Sequence, residues 1–286
     1  MNIKERPKWQ FWIDRGGTFT DVIGRNPKGK IATQKLLSEN PKHYKDAAIQ
    51  GIRDLLSIDR KESIPMHQID SIKMGTTVAT NALLERKGER TLLAITKGFA
   101  DILRIGYQQR PKLFSLDIQL PDMIYSDIVE IDERVDINGD VLKKLDLSNT
   151  KKILTEAFNE GFKSIAIVLL HGYRHQKHEN QISVIAKQIG FEQISVSHKI
   201  SPLMKIIPRG DTTVVDAYLS PILRRYVNQV KAELGQTQQN FGKLMFMQSN
   251  GGLTDANYFQ GKDAILSGPA GGIVGAVRTA EQAGFD

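Results

Sequence analysis

The sequence predicts an α/β protein in which helices flank a mixed β-sheet. Apolar and polar residues alternate in WQFWID and again in TFTDVIG, as they do in half-buried strands. Farther along, segment 44–56 has its apolar residues at helical spacing. The predicted order begins β-β-β-α-β-α-β. A meander that leads into alternating helices and strands implies a mixed sheet covered by helices.

The first third of the chain supplies these seven elements. RGGT, at 15–18, joins the first two strands as a tight turn. A third strand follows Pro27-Lys28-Gly29, and strands and helices then alternate. The predicted strands are 9–14, 18–24, 30–37, 69–74 and 91–95, and the predicted helices are 44–56 and 78–86.

The rest of the chain continues with both element types. A hairpin is predicted from the alternation over 129–135, with Asn138-Gly139 as its turn. Ser148 and Asp211 are predicted to be the N-caps of two helices, the second of which reaches Leu234. The first of these helices is expected to end at Gly161, and the second to be kinked at Pro221. The remaining predicted elements are a buried strand at 164–170, a helix that ends near Gly190, a strand at 243–248 and a helix opened by LSGPAGG.

Composition disfavours several classes of site and partner. The chain has 286 residues, no cysteine and a formal net charge of +7. Without cysteine there are no disulfides, thiolate metal sites or cysteine nucleophiles, which agrees with a cytoplasmic location. The basic residues are scattered and lack interleaved aromatics, so a solvated surface is favoured over nucleic-acid binding. No membrane span or secretory signal is predicted, because no apolar run is long enough.

The polar turn between the first two strands is the leading candidate site. Its two glycines leave backbone N–H groups uncovered, so a phosphate can approach them closely, and two threonines add hydroxyl donors. Asp14 is placed to hold Mg²⁺ through water, and Asp21 to orient a nucleophile or a second water. An ordinary Gly-Gly turn is the simpler alternative, and the common phosphate-loop glycine motifs are absent. The candidate residues are Asp14, Gly16, Gly17, Thr18, Thr20 and Asp21.

Two further segments are candidates for contact with a ligand. Thr76 and Thr77 lie between a predicted strand and a predicted helix, where helix N–H groups and hydroxyls attract phosphate or carboxylate. The alternative is that one of them only caps the helix. In LSGPAGGIVGA, small residues permit close approach either of a ligand or of another helix. The cofactor-binding candidates in this segment are Gly268, Gly271 and Gly272.

Five motifs follow one another along the chain. They are IDRGGTFTDVI, a long stretch from KMGTTVATNALLE to PKLFSLDI, LLHGYRHQKHE, MQSNGG and ILSGPAGGIVGA. This ordered series, which covers nearly the whole chain from Trp9 onward, resembles the hydantoinase/5-oxoprolinase family. GFADILRIGYQQRPKLFSL and KLLSENPKHYKDAAIQGI are most similar to its 5-oxoprolinase branch, which opens the lactam of 5-oxo-L-proline to L-glutamate with cleavage of ATP.

The resemblance implies an actin-like, ribonuclease-H-like ATPase fold, with ATP and Mg²⁺ in the cleft between two such halves. It assigns the β- and γ-phosphates to the first glycine turn. It also implies an N-terminal domain over 9–200, with a hairpin insertion at about 106–145, and an incomplete second domain over 201–286. Family members continue into a second glycine-rich hairpin, so the second half is expected to be truncated. The C-terminal remainder of the enzyme or a second subunit is the expected partner, and the chain alone is expected to be inactive.

Arginines and histidines complete the set of candidates. Arg104 and Arg110 are candidates for a substrate carboxylate, because a guanidinium binds it through two hydrogen bonds, although surface ion pairing is the alternative. His171, His175 and His178 have spacings that suit a metal only if the segment is helical. A structural role is favoured for them, since the segment follows a buried strand and resembles a turn.

Two classes of function are consistent with the sequence. In the first, the chain is the N-terminal portion of an ATP-dependent 5-oxoprolinase or of a related ATP-dependent hydantoinase subunit. In the second, it is a non-catalytic remnant or interaction module of the same fold. The first is favoured because the residues of the glycine turn are all intact, whereas loss of function would leave them free to change.

Overall fold

The computed structural model of the protein describes residues 7–108, 114–235 and 243–285. The chain divides into two units, the first made of Met1–Glu85 with Ile222–Asp286 and the second of Arg86–Pro221. Helices and β-sheets occur in both, and the first unit has a mixed sheet, so the predicted α/β class is confirmed. In the described ranges, no helix is both long and apolar enough to cross a membrane.

The elements are numbered in chain order. The strands are β1 (Trp9–Arg15), β2 (Phe19–Arg25), β3 (Ile31–Leu37), β4 (Ile69–Thr76), β5 (Thr91–Thr96), β6 (Asp127–Ile131), β7 (Arg134–Val135), β8 (Val141–Lys143), β9 (Ser164–Val168), β10 (Gln193–Val196), β11 (Leu244–Met247) and β12 (Leu253–Asp255). The α-helices are α1 (Ala47–Leu56), α2 (Val78–Leu84), α3 (Ile102–Ile105), α4 (Leu147–Asn159), α5 (Lys177–Ile189), α6 (Ser197–Ile200), α7 (Ile206–Glu233) and α8 (Ser267–Gln282).

The first unit is built on a six-stranded sheet with the order β12-β11-β4-β1-β2-β3. β1 pairs antiparallel with β2 and parallel with β4, which makes the sheet mixed. Successive side chains of a strand point to opposite faces. Phe11, Ile13 and Val22 therefore enter a core that they share with Ile52 of α1 and Val230 of α7. The predicted meander and the helix after it are confirmed.

Helix α1 begins three residues later than the sequence predicts. Asp46 is its N-cap, because its Oδ1 accepts hydrogen bonds from the backbone N–H groups of Ala48 (2.9 Å) and Ile49 (3.2 Å). This satisfies two of the N–H groups that a helix leaves unpaired at its start. The 44–46 stretch lies outside the helix as a result.

The second unit contains a four-stranded parallel sheet with the order β10-β9-β5-β6. Leu92 and Ile165 face one core, which α4 and α5 complete, whereas Leu93 and Ala166 face another with Val214 of α7. All five residues of β9 are buried. A sheet covered on both faces needs apolar residues at every position, and this explains the uninterrupted apolar run predicted as a buried strand.

The hairpin predicted from 129–135 is partly wrong. Residues 127–131 form β6, which pairs in parallel with β5 at an edge of the sheet. The hairpin consists of β7 and β8, and its turn is held by Asp136, whose Oδ1 accepts the N–H groups of Asn138, Gly139 and Asp140 at 2.8–2.9 Å. The alternation of apolar residues continues from one element into the next, so the pattern alone did not separate them.

Both predicted N-caps are also wrong. Asp146, not Ser148, caps α4, and its Oδ1 accepts the Asn149 N–H at 2.9 Å. Helix α7 starts at Ile206, five residues before Asp211. Arg209 explains the earlier start, because its fully buried guanidinium donates to carbonyl oxygens just before the helix and holds the first turn in place.

Pro221 lies inside α7, which continues to Glu233. A proline lacks the N–H that would bond to the carbonyl four residues earlier, here that of Ala217. Ser164 of β9 supplies the missing donor, since its hydroxyl donates to Ala217 O at 2.6 Å. The helix therefore passes the proline without leaving this carbonyl unpaired.

Candidate functional site

A cavity of about 550 Å³ lies in the first unit, on the face of the sheet opposite α1. The ends of β1 and β4 form one wall, and the first turns of α8 form another. Five of the predicted site residues line it, namely Asp14, Asp21, Gly268, Gly271 and Gly272. The sheet thus brings together residues that are separated by about 250 positions in the sequence.

The glycine turn joins β1 and β2, and its backbone is partly free. Gly16 donates its N–H to Phe19 O at 3.1 Å, which closes the turn. Gly17 and Thr18 are exposed, and their N–H groups form no hydrogen bond to any residue within the described parts of the chain. Two neighbouring, uncovered N–H groups beside carboxylates are a suitable arrangement for a phosphate that carries a metal ion.

Thr20 supports the turn from inside and does not face the cavity. Its side chain is fully buried, and its Oγ1 lies 2.9 Å from Ser38 Oγ. Ser38 Oγ in turn donates to Gly16 O at 2.7 Å, and Ser38 N donates to Thr18 O at 2.8 Å. Thr20 was expected to be an exposed hydroxyl donor, but its hydroxyl is buried and supports the turn, because Ser38, just after β3, covers this side.

Thr76 and Thr77 tie the start of α2 to the turn. Thr76 is buried, and its Oγ1 accepts the Val78 N–H at 3.2 Å, so this hydroxyl serves the helix as the simpler alternative proposed. Thr77 donates to Arg15 O both from its N–H (3.1 Å) and from its Oγ1 (3.2 Å). Neither hydroxyl is among the cavity-lining groups.

Asp14 and Asp21 are direct partners across the β1–β2 ladder, so their side chains share one face. Asp21 is paired with Lys35, whose Nζ lies 2.6 and 2.8 Å from its two carboxylate oxygens. The Asp14 carboxylate has no hydrogen-bond or ion-pair partner among the described residues, and a Cβ added to Gly75 would lie 3.3 Å from its Oδ1. An unpaired carboxylate next to a second one is compatible with a divalent cation.

Lys73 and Trp12 are cavity residues that sequence reasoning missed. Lys73 Nζ lies 5.2 Å from the centre of the Trp12 ring, within range of a cation–π interaction. Trp12 lies in β1 and Lys73 in β4, and both strands were predicted. A single lysine or tryptophan on a strand forms no recognisable motif, so neither residue was identified as part of a site. Lys73 adds a positive charge to the side of the cavity that holds the two aspartates.

Behind the turn, Arg15 is held by two residues of the same unit. Its Nε lies 3.7 Å from Asp46 Oδ2, and its guanidinium lies 5.1 Å from the Tyr226 ring centre. Burial raises the pKa of the Asp46 carboxyl, an effect that its helix N–H bonds and Arg15 partly offset. Burial also raises the pKa of Tyr226 well above its ordinary value. Because Arg15 O accepts the two Thr77 bonds, this anchor fixes the position of the turn.

Gly16→Ala is expected to destabilise the first unit by about 1–3 kcal/mol, the usual cost of overpacking. An added Cβ would lie 2.8 Å from the backbone oxygen of Phe19, which cannot move without opening the turn. Gly17→Ala is the matched control, because its Cβ would meet only the Asn81 side chain, at 3.2 Å. Both tryptophans lie in β1, so urea unfolding followed by tryptophan fluorescence reports on this unit. Equal midpoints for the two variants would contradict the prediction.

Of the two arginines proposed for a substrate carboxylate, the structure describes only Arg104. Arg104 belongs to the second unit, where it is exposed in the short helix α3. Arg110 lies outside the described residues. Their role as a carboxylate clamp stays a prediction.

The three histidines do not form a metal site with one another. The segment before Lys177 is a series of turns, as expected, and not a helix. His178 Nδ1 lies 2.7 Å from Glu133 Oε2, and His175 Nε2 lies 3.1 Å from Ile137 O. Within residues 7–108, 114–235 and 243–285, no three or more His, Asp or Glu side chains are grouped so as to hold a metal ion.

His171 is expected to make the second unit less stable in acid. Burial, and then the charges of His175 and Arg209, lower the pKa of its imidazole. A histidine with a lowered pKa takes up its proton more readily when unfolded, so stability falls as the pH drops below the unfolded value of about 6.5.

His171→Gln removes this proton uptake, so the variant should lose less stability between pH 7.5 and 5.5 than the parent. Urea unfolding followed by circular dichroism at both pH values measures the difference. His67→Gln, an exposed position in the first unit, is the control. An identical loss in His171→Gln and the parent would show that the imidazole does not contribute.

Comparisons with known proteins extend these observations. Residues 10–190 match the hydantoinase/oxoprolinase N-terminal region, and residues 209–286 match the hydantoinase/oxoprolinase family. A 5-oxoprolinase from Dictyostelium discoideum is 44% identical over 94% of this chain and 24% of its own length. The corresponding values for 5-oxoprolinase 1 from Arabidopsis thaliana are 41%, 95% and 24%. The chain thus spans about a quarter of the length of these relatives.

Two solved structures share the fold. An ATP-dependent caprolactamase from Pseudomonas jessenii superposes with a TM-score of 0.80 at 28% identity, over 97% of this chain and 41% of that chain. The nucleotide-free acetone carboxylase superposes with a TM-score of 0.78 at 20% identity, over 96% and 41%. At such an identity the second likeness concerns the fold alone. The shared architecture extends over nearly all of the present chain.

Proposed function

Because this chain belongs to the hydantoinase/oxoprolinase family, we propose that it is the N-terminal, nucleotide-binding portion of an ATP-dependent 5-oxoprolinase. The observation that carries the proposal is the pair of uncovered N–H groups at Gly17 and Thr18, next to a cavity that Asp14 and Asp21 line. In the actin-like, ribonuclease-H-like arrangement that we propose for the complete enzyme, this turn contacts the β- and γ-phosphates.

The reaction requires ATP because an amide is a poor electrophile and its nitrogen is a poor leaving group. Transfer of the γ-phosphoryl group to the lactam oxygen of 5-oxo-L-proline gives an activated imidate and ADP. Water then adds to the former carbonyl carbon, and cleavage of the ring C–N bond gives the open-chain γ-glutamyl phosphate. A second water hydrolyses this acyl phosphate, which yields L-glutamate and phosphate. The protein's task in the transfer is to hold the phosphoryl group in line and to neutralise its charge.

The residues of the first unit divide this task. The N–H groups of Gly17 and Thr18 donate hydrogen bonds to phosphate oxygens, and Gly16 gives the turn its shape. Asp14 would hold Mg²⁺, which an unpaired carboxylate fits and which would neutralise phosphate charge. Asp21 would orient the nucleophile or a second water. The turn is fixed by Thr20, Thr76 and Thr77. Room for the nucleotide beside α8 is left by the small residues Gly268, Gly271 and Gly272.

The C-terminal remainder of the enzyme, or a second subunit that replaces it, is the proposed partner. This follows from the relatives, of which the chain matches only about a quarter. We place the domain bounds at 9–200, with an insertion at about 106–145, and at 201–286. An ATP-dependent hydantoinase subunit is the second candidate, because a similar solved structure is an ATP-dependent caprolactamase and its name thus gives a different cyclic amide from that of the 5-oxoprolinase relatives.

The test is phosphate release that depends on 5-oxo-L-proline. It is measured with this chain alone, with the remaining three quarters of a 5-oxoprolinase relative alone, and with the two mixed. Activity only in the mixture is expected. If hydantoin but not 5-oxo-L-proline supports release, the hydantoinase alternative is correct. No release from any mixture, together with no ATP binding by this chain, would favour a non-catalytic module.

A further inference from the structure

A second cavity of the first unit, of about 400 Å³, has four basic side chains among the residues that line it. It lies between the segment that precedes α1, the exposed side of α1 and the end of α7. None of its residues lines the cavity beside the glycine turn. Four basic side chains outnumber two carboxylates, which leaves an excess of two positive charges. They are Lys42, Lys45, Arg53 and Arg60 against Asp46 and Glu233.

The two carboxylates are already engaged. Asp46 is 2% exposed, and its oxygens are used by the first N–H groups of α1 and by Arg15. Glu233 accepts a hydrogen bond from Gln229 Nε2 at 3.3 Å. Neither carboxylate forms an ion pair with a lysine or arginine of the cavity among the described residues. The excess of two positive charges is therefore not compensated by an ion pair within the described lining of the cavity.

The basic side chains are available for a ligand. The side chains of Lys42, Lys45 and Arg60 are exposed and have no hydrogen-bond or ion-pair partner in the described parts of the chain. Arg53 is different, because its Nη1 donates to the carbonyl oxygens of Asp59 (2.9 Å) and Glu62 (2.7 Å). These bonds fix its guanidinium in the wall, and its other N–H groups have no partner among the residues that the structure describes.

The backbone of the wall is also held in place. Tyr44 Oη donates to Leu37 O at 2.6 Å, which ties the segment to the end of β3. The N–H groups of His43 and Tyr44 both donate to Asn40 O. The nearest carboxylates of the 59–62 loop face its own backbone, since Asp59 Oδ1 accepts the Arg60 N–H and Glu62 Oε1 accepts the Asp59 N–H. The backbone of this concave wall is therefore held in place, and unpaired cations line it.

We propose that this basic cavity binds a small anion with two negative charges, separately from the nucleotide. Guanidinium groups bind planar or tetrahedral oxyanions through paired hydrogen bonds, and lysines add point charges, so a phosphate ester and a dicarboxylate both fit. The proposal does not depend on the 5-oxoprolinase assignment. The cavity shares Asp46 with the anchor of Arg15, so the occupied site lies next to a residue that positions the glycine turn.

The test is isothermal titration of this chain with inorganic phosphate and, in a separate arm, with succinate, at constant ionic strength set by chloride. Saturable binding of one or both is expected, and the arm that binds identifies the chemistry. Lys42→Gln combined with Arg60→Gln should weaken binding at least about tenfold, which corresponds to about 1.4 kcal/mol.

Two controls make the result specific. Lys28→Gln with Lys30→Gln removes two exposed charges from the β2–β3 connection, outside both cavities, and should leave the affinity unchanged. Lys73→Gln reports on the cavity beside the glycine turn. Binding that is lost in Lys73→Gln but kept in the Lys42/Arg60 variant would overturn the proposal, as would equal weakening in the Lys28/Lys30 control or no saturable binding of either anion.

Discussion

Asp14→Asn is expected to lower the 5-oxo-L-proline-dependent phosphate release of the complemented enzyme by about 100-fold, the scale on which loss of one charge-stabilising group reduces turnover. The substitution keeps the shape of the side chain but removes its charge. Asp14 is the carboxylate of the cavity that has no partner among the described residues, whereas Asp21 is paired with Lys35. The variant should therefore need a higher Mg²⁺ concentration for half-maximal activity and should have a lower kcat.

The control for Asp14 is Asp70→Asn, an exposed aspartate in the neighbouring strand β4 whose Oδ2 accepts a hydrogen bond from Gln10. This variant should keep full activity. Tryptophan fluorescence should give the same urea midpoint for both variants, which separates a lost function from a lost fold. If Asp14→Asn keeps both the parent rate and the parent Mg²⁺ concentration for half-maximal activity, Asp14 does not hold the metal.

Glu179→Ala is expected to destabilise the second unit by about 3–5 kcal/mol, because it leaves several buried hydrogen-bond donors without their acceptor and a buried positive charge without a nearby carboxylate. The Glu179 side chain is fully buried and accepts hydrogen bonds from Leu169 N (2.9 Å), Ser197 Oγ (2.6 Å) and His198 (2.5 Å from Nδ1). Arg209, which is also fully buried, would keep its charge without this carboxylate nearby.

Hydrogen exchange of the β9 amides measures this effect, because the second unit contains no tryptophan. Glu156→Ala, an exposed glutamate in α4, is the control and should change the free energy of opening by less than about 0.5 kcal/mol. Glu179→Gln should lie between the two, since an amide keeps part of the hydrogen bonding. A Glu179→Ala loss below about 1 kcal/mol would mean that water reaches the buried donors and replaces the carboxylate.

Much of the fold could be predicted from local patterns. Alternation located β1, β2 and β3, and the continuous apolar run located β9. Helix ends marked by glycine were also predictable, because Gly161 and Gly190 have positive φ angles (96° and 115°) that other residues rarely adopt. In each case the signal lies within a few residues of the element that it specifies.

Elements that depend on distant partners were not predicted correctly. The start of α7 is fixed by Arg209, which bonds to carbonyls of other segments, and β6 was separated from the β7–β8 hairpin only by its pairing with β5. The candidate site shows the same division. The turn was recognisable as a motif, but the burial of Thr20 against Ser38 and the presence of Lys73 in the cavity depend on neighbouring strands.

The sequence by itself determined the local chemistry of this protein: a glycine turn flanked by two aspartates, the helices and strands around it, and the ordered motifs of its family. Only the tertiary structure decided which hydroxyls and charges are free to act, because hydrogen bonds across the sheet bury some and leave others exposed. Thr20 and Thr76 are committed to the protein's own backbone and side chains, whereas Asp14 and the Gly17 and Thr18 N–H groups stay open. Pairing across a sheet joins residues that are far apart in the chain, and no local pattern records that pairing.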